Sequence, residues 1–319
     1  MRRRAIVAVG TVLVAGAVAL PMPDVIRGRL ETAGCGDVVD GDRQPRLLAS
    51  GFLFTEGPAW HHDGYWVFSD IRADTIYKLD ADGRAQPFKR PSGHANGNAF
   101  DRAGNLISAR HDRLITLTRA DGGEEVLAAA YQGRKLNSPN DLVIGPDGAV
   151  WFTDPPYGIS GNGPARADEE QPVRGVYRLR DGTLQLMSGE LTLPNGLAFS
   201  PDGRWLYVSD SADGAVYRFA VGADGTLTDK SFFARVRPGA GQRHATDGIK
   251  TDAAGRVWAS GARAIGVFDP SGELRCRIDL GERRVTNLAF GGPDGRDLLI
   301  TTGDSVLALR AKVPGRRDG

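Results

Sequence analysis

The sequence predicts an all-β protein built as a six-bladed β-propeller, and three observations predict it. One motif restarts six times at blade-sized intervals. Each copy alternates apolar and polar residues and turns through Asp-Gly or Ala-Gly, the chemistry of tight hairpins. No long stretch of helical period interrupts the copies.

The copies run EGPAWHHDGYWVFSD from Glu56, NGNAFDRAGNLISAR from Asn96, NDLVIGPDGAVWFTD from Asn140, NGLAFSPDGRWLYVSD from Asn195, DGIKTDAAGRVWAS from Asp247 and TNLAFGGPDGRDLLIT from Thr286. Their starts are separated by 40, 44, 55, 52 and 39 residues, a blade-sized period with insertions in the middle copies. Thr75-Ile76-Tyr77-Lys78-Leu79, Val176-Tyr177-Arg178-Leu179 and Ala215-Val216-Tyr217-Arg218-Phe219 read as third strands. A lone blade cannot bury both faces of its sheet, so blades stack around an axis and the start of each copy converges on a central channel. A β-sandwich of unrelated hairpins gives no reason for one motif to restart at this interval.

The flanks differ from the repeat. Met1 to Arg4 carry three arginines and Ala5 to Leu20 form an uncharged apolar run, which reads as an export signal. The expected division is 1–20 a signal peptide or N-terminal anchor, 21–46 an extension, 47–312 the propeller and 313–319 a basic tail, with Arg310 to Arg317 solvated. The protein is then periplasmic or secreted, either released by cleavage near Ala17-Val18-Ala19 or anchored in the membrane through residues 5–20. Forty basic and thirty-nine acidic residues leave a formal charge of +1, which argues against nucleic acid or an anionic membrane as partner. A monomer with no obligate protein partner is expected. Two cysteines, Cys35 and Cys276, exclude a disulfide framework and a thiolate zinc site; they either pair with each other or stay free.

The residues that open the first five copies are Glu56, Asn96, Asn140, Asn195 and Asp247. Carboxylate and amide oxygens gathered around one axis make a hard cage, suited to one divalent ion: Ca²⁺ first, with Zn²⁺, Mn²⁺ or Mg²⁺ as alternatives. Asn-Gly and Asp-Gly also begin strands simply as turn residues, and Asn96 taken alone reads that way. Glu56 does not, since glutamate is not a turn former. Asp154, in Thr153-Asp154-Pro155-Pro156-Tyr157, either orients substrate at the channel mouth or caps a turn. His94 and His111 are candidate acid–base groups or packing residues. Ser69-Asp70 and Ser209-Asp210 recur at strand ends and read as blade structure. No Gly-X-Ser-X-Gly elbow is present, which argues against a serine hydrolase.

Four segments, EGPAW, YQGRKLNSPNDLVIGPDGAVWFTDPPYGI, LPNGLAFSPDGRWLYVSD and DGIKTD, resemble the gluconolactonase and senescence-marker-protein (regucalcin-like) family, and the similarity covers nearly everything after Leu47. The resemblance implies a six-bladed propeller with one divalent ion in its axial channel and hydrolysis of a small cyclic ester such as a sugar lactone. It places the metal on Glu56, Asn195 and Asp247, makes Asn140 a further ligand or a substrate contact, and makes Asp247 the general acid and base. Two departures bear on the substrate. Ala109-Arg110-His111-Asp112 stands where bacterial members often carry Cys-Glu-His-Gly, and Ser138 stands where animal members have a sugar-binding arginine. In the expected reaction the ion polarises the lactone carbonyl for attack by water, with Asn140 and Asp154 positioning the ring. Two alternatives share the cage: a phosphotriesterase of the diisopropylfluorophosphatase type, and a non-catalytic exported calcium-binding propeller.

Overall fold

The computed structural model describes residues 35–39, 45–80, 82–161, 163–164, 166–238, 241, 243 and 245–316. The segment 1–20 expected to direct export, and most of the extension 21–46, lie outside the described residues. Six four-stranded antiparallel sheets follow the six sequence copies. Their innermost strands are Thr55–His61, Ala95–Phe100, Leu142–Ile144, Pro194–Phe199, Ile249–Thr251 and Val285–Gly291. Each opening residue therefore sits at, or just before, the start of an innermost strand.

Stacking explains the apolar content. The second strands, such as Val150–Thr153 and Trp205–Asp210, are buried on both faces because a neighbouring blade covers each side. Trp151 and Phe199 pack edge to face between blades 3 and 4, and Trp258 meets Phe290 between blades 5 and 6. Truncating one of these rings to alanine costs about 3–5 kcal/mol.

Near the axis, backbone and hydroxyl groups join the blades. Ser69 Oγ donates to the Asn96 carbonyl (2.9 Å), Thr153 Oγ1 to the Asn195 carbonyl (2.7 Å), Ser209 Oγ to the Asp247 carbonyl (2.6 Å) and Thr286 Oγ1 to the Thr55 carbonyl (2.8 Å). Each of these bonds fixes the opening segment of an adjacent blade. In four copies the residue after the opening one is glycine, and the reason is close approach as well as turn chemistry. A Cβ on Gly57 or Gly196 would run into the backbone of Asn96 or Asp247, and one on Gly248 into the Asn287 side chain.

The ring closes through both ends of the chain. Arg46–Ser50 forms the outer strand of blade 6 by pairing with Ser305–Arg310, so the propeller draws on residues before the expected start at 47. Cys35 and Cys276 form a disulfide, which joins the extension to the outer strand of blade 5. Val38 and Val39 are buried beside it, and Lys312 N–H donates to the Val38 carbonyl. The basic end is not solvated as expected. Arg310 pairs with Asp294 and Asp297, and Gly315 forms a bridge with Asp252, because the last strand and the turn after it cover backbone groups of blades 5 and 6.

Candidate active site

The axial channel widens at one end into a cavity of about 570 Å³, a size suited to a small sugar derivative. Glu56, Asn96, Asn140, Asn195 and Asp247 all line it. The opening residues of five blades thus do come together. Glu56 and Asp247 are both buried, and each feels repulsion that protein groups only partly offset. Burial, then the negative charges of Asp247 and Asp141, push the Glu56 carboxyl well above the usual range; the N–H groups of Gly57 and Asn287 pull the other way. Burial also raises Asp247, against the Arg284 guanidinium, whose Nη2 lies 3.2 Å from Asp247 Oδ2.

The amides complete an oxygen-rich wall. Asn195 Nδ2 donates to Ser211 Oγ (3.1 Å), and Ser211 Oγ donates to the Thr246 carbonyl, which leaves the Asn195 side-chain oxygen, Oδ1, for the cavity. Asn96 Nδ2 lies 3.2 Å from His111 Nε2, and burial lowers the His111 pKa to about 4, so this ring is neutral and accepts. Asn96 Oδ1 is buried with no partner, an acceptor awaiting a cation or a hydroxyl donor. Two buried like charges, amide oxygens and an unpaired acceptor fit a hard divalent ion, and Glu56, Asn140, Asn195 and Asp247 are the residues that would hold it.

The sequence profile of the SMP-30/Gluconolactonase/LRE-like region matches residues 54–304, nearly the whole propeller. The chain belongs to this family. It is 32% identical to the gluconolactonase of Zymomonas mobilis over 87% of this chain and 84% of that protein. It is 29% identical to the 6-deoxy-6-sulfogluconolactonase of Pseudomonas putida over 86% of this chain and 94% of that protein. Among solved structures, a gluconolactonase from Xanthomonas campestris is 36% identical and superposes with a TM-score of 0.81, covering 89% of this chain and 94% of that one.

Against this family background, several residues stand differently from expectation. Asp154 does not line the cavity. It is fully buried and accepts the backbone N–H groups of Asn137 and Ser138, both at 2.7 Å, while burial pushes its pKa up to about 7 against those donors. Asp70 clamps Leu53 and Phe54 in the same way, and Asp210 clamps Thr192 and Leu193. The carboxylate ending a second strand is therefore a device that satisfies the segment leading to the innermost strand; in blade 3 that segment carries Asn140. Asn96, read alone as a turn residue, lies within a strand with its amide facing the cavity. His94 and His111 both line the cavity, and His94 Nδ1 is held 2.8 Å from the Ile71 carbonyl. At the two family departures, Arg110 pairs with Asp112 and Glu124, and Ser138 Oγ accepts the Gly158 N–H.

Sequence reasoning missed Phe54, Arg72, Tyr157 and Arg284, which lie between or before strands rather than in the repeated motif. It also missed a layer just beneath the cavity. Asn287 Nδ2 donates to Glu56 Oε2 (3.2 Å) and Asp141 Oδ2 (3.3 Å), and Lys250 Nζ stands 3.6 Å from Asp141 Oδ2. A signal for it existed: Asp141 and Asn287 occupy the position that is glycine in the other four copies. Among the described residues, the group of three His or carboxylate ligands lying within 4.8 Å of one another is His61, His62 and Asp63, at the turn between the innermost and second strands of blade 1 and outside the cavity lining.

Proposed function

We propose that the cavity hydrolyses a sugar lactone with the help of one divalent metal ion. The hydrolase class rests on the family and on relatives that act on gluconolactone and a sulfonated gluconolactone. The observation that carries the metal is the burial of Glu56 and Asp247 in one cavity, where the Asp247 charge raises the cost of ionising Glu56, beside the Asn96 side-chain oxygen, which is buried without a partner. Calcium suits this set best, because the four donors are oxygen and neither imidazole nor thiolate is among them.

Such an ion supplies Lewis-acid polarisation of the lactone carbonyl. Asp247, which Arg284 orients, takes a proton from the attacking water. The new bond joins the water oxygen to the carbonyl carbon, the ring C–O bond breaks, and Asp247 returns the proton to the departing ring oxygen to give a hydroxy acid. Arg284 fixes the orientation of Asp247, and Asn96 and Tyr157, which line the same cavity, hold ring hydroxyls. The Cys35–Cys276 disulfide supports export to an oxidising compartment, in keeping with the apolar run 5–20.

The test is proton release from a panel of aldonolactones, with chelator and then with calcium, zinc or manganese restored. Chelator-sensitive turnover is expected. Calcium binding without turnover of any lactone would leave a non-catalytic binding propeller in its place.

A further inference from the structure

Two guanidinium groups flank one aromatic ring at the cavity mouth. Arg72 Cζ lies 5.4 Å from the centroid of Phe54, and Arg284 Cζ lies 5.6 Å from the same centroid. All three residues line the cavity. Arg72 comes from the turn after the second strand of blade 1, and Arg284 directly precedes the innermost strand of blade 6, the adjacent blade.

Their placement is built into the fold. Asp70 Oδ1 accepts the N–H groups of Phe54 (3.0 Å) and Ala73 (3.2 Å), and its Oδ2 accepts that of Leu53 (2.8 Å). One buried carboxylate thus ties the turn bearing Arg72 to the segment bearing Phe54. Arg284 is paired with Asp247, whereas among the described residues Arg72 is paired with no carboxylate.

The charges do not balance for a neutral substrate. Histidines aside, the cavity is lined by Glu56 and Asp247 against Arg72 and Arg284. A divalent ion would match the two carboxylates and leave two guanidinium charges in excess at the mouth, Arg284 sharing Asp247 with the ion and Arg72 facing no carboxylate. A forked guanidinium recognises carboxylate, sulfonate and phosphate oxygens, and a neutral aldonolactone offers it none.

We infer that the natural substrate is a sugar lactone bearing a second, anionic group away from the ring carbonyl, held by Arg72 and Arg284 over the face of Phe54. This deepens the lactonase reading and rests on it. The shared chemistry is an anionic oxygen cluster; a carboxylate, a sulfonate and a phosphate are the sources to be told apart.

Two measurements test it. The first compares kcat/KM on matched lactones, neutral gluconolactone against its relatives carrying carboxylate, sulfonate or phosphate at carbon 6, for the wild type and Arg72→Gln. The anionic member is expected to be preferred, and the preference to fall by about tenfold in the variant through a raised KM. Added salt should erode the same preference. Equal use of neutral and anionic lactones by the wild type, or an equal loss on both in Arg72→Gln, overturns the inference and leaves the lactonase standing. The second measurement is calorimetric titration with glucose 6-phosphate and with glucose, which needs no turnover. Binding of the phosphate in preference to the free sugar, lost in Arg72→Gln, upholds the cationic mouth even if no lactone is hydrolysed; no difference between the two sugars overturns it.

Discussion

Two acidic clusters lie one above the other on the propeller axis, and only one is balanced from within. Beneath the cavity, Asp141 has Lys250 at 3.6 Å and the Asn287 amide at 3.3 Å. Within the cavity, Asp247 has Arg284 and Glu56 has the Asn287 amide, yet both carboxyls are pushed upward by burial. The difference separates structure from function: the lower cluster is matched as folded, whereas the upper one keeps the excess that the proposed ion would neutralise.

Replacing Asp247 breaks the upper cluster most severely. Asp247→Asn is expected to lower kcat on the best lactone about 10³-fold, roughly 4 kcal/mol of barrier. A variant of normal activity would remove Asp247 from the reaction. Next comes the neutral wall that faces these charges. His111 has a folded pKa of about 4 against an ordinary 6.5, so its contribution to stability is fully present above pH 6.5 and is lost as pH falls toward 4. The loss amounts to about 3 kcal/mol. Chemical denaturation at a series of pH values should show this slope in the wild type and a flatter one in His111→Gln; parallel curves would mean that the ring is protonated in the fold.

Two smaller effects sharpen the contrast. Calcium at a hundred times its Kd should stabilise the wild type by about 2.7 kcal/mol in thermal denaturation, and Glu56→Gln should lose most of that gain. An undiminished shift would place the ion away from Glu56. In the lower cluster, Lys250→Met should cost about 2 kcal/mol whether or not calcium is present, since it strands Asp141 without its cation. The double variant with Asp141→Asn should recover part of the loss. If Lys250→Met were rescued by calcium, the two clusters would be one site.

The repeat made the blades, the axis and five of the cavity residues legible in the sequence, because Glu56, Asn96, Asn140, Asn195 and Asp247 occupy one position of a recurring motif. Asp154 also sat at a recurring position, and there the pattern misled: the carboxylates of Asp70, Asp154 and Asp210 recur for a backbone reason, to accept paired N–H groups. Arg72 and Arg284 had no such marker. They reach the mouth from inter-strand segments whose course depends on how adjacent blades pack, and arginines in such segments look alike in a sequence. The pairing of Cys35 with Cys276 likewise depends on where the extension crosses blade 5, a geometry that a separation of 241 residues does not disclose.

Because blade 6 is assembled from both ends of the chain, order of synthesis enters the chemistry. Glu56 belongs to the first copy, yet the amide that holds its carboxylate comes from Asn287, 231 residues later. Arg46–Ser50 likewise waits for Ser305–Arg310 before the ring can close. Contacts of such long range form late and slowly. A chain halted after five blades has its aspartate, glutamate and asparagines but no finished pocket to put them in, so ligand binding by this protein doubles as a report that the whole polypeptide has been made.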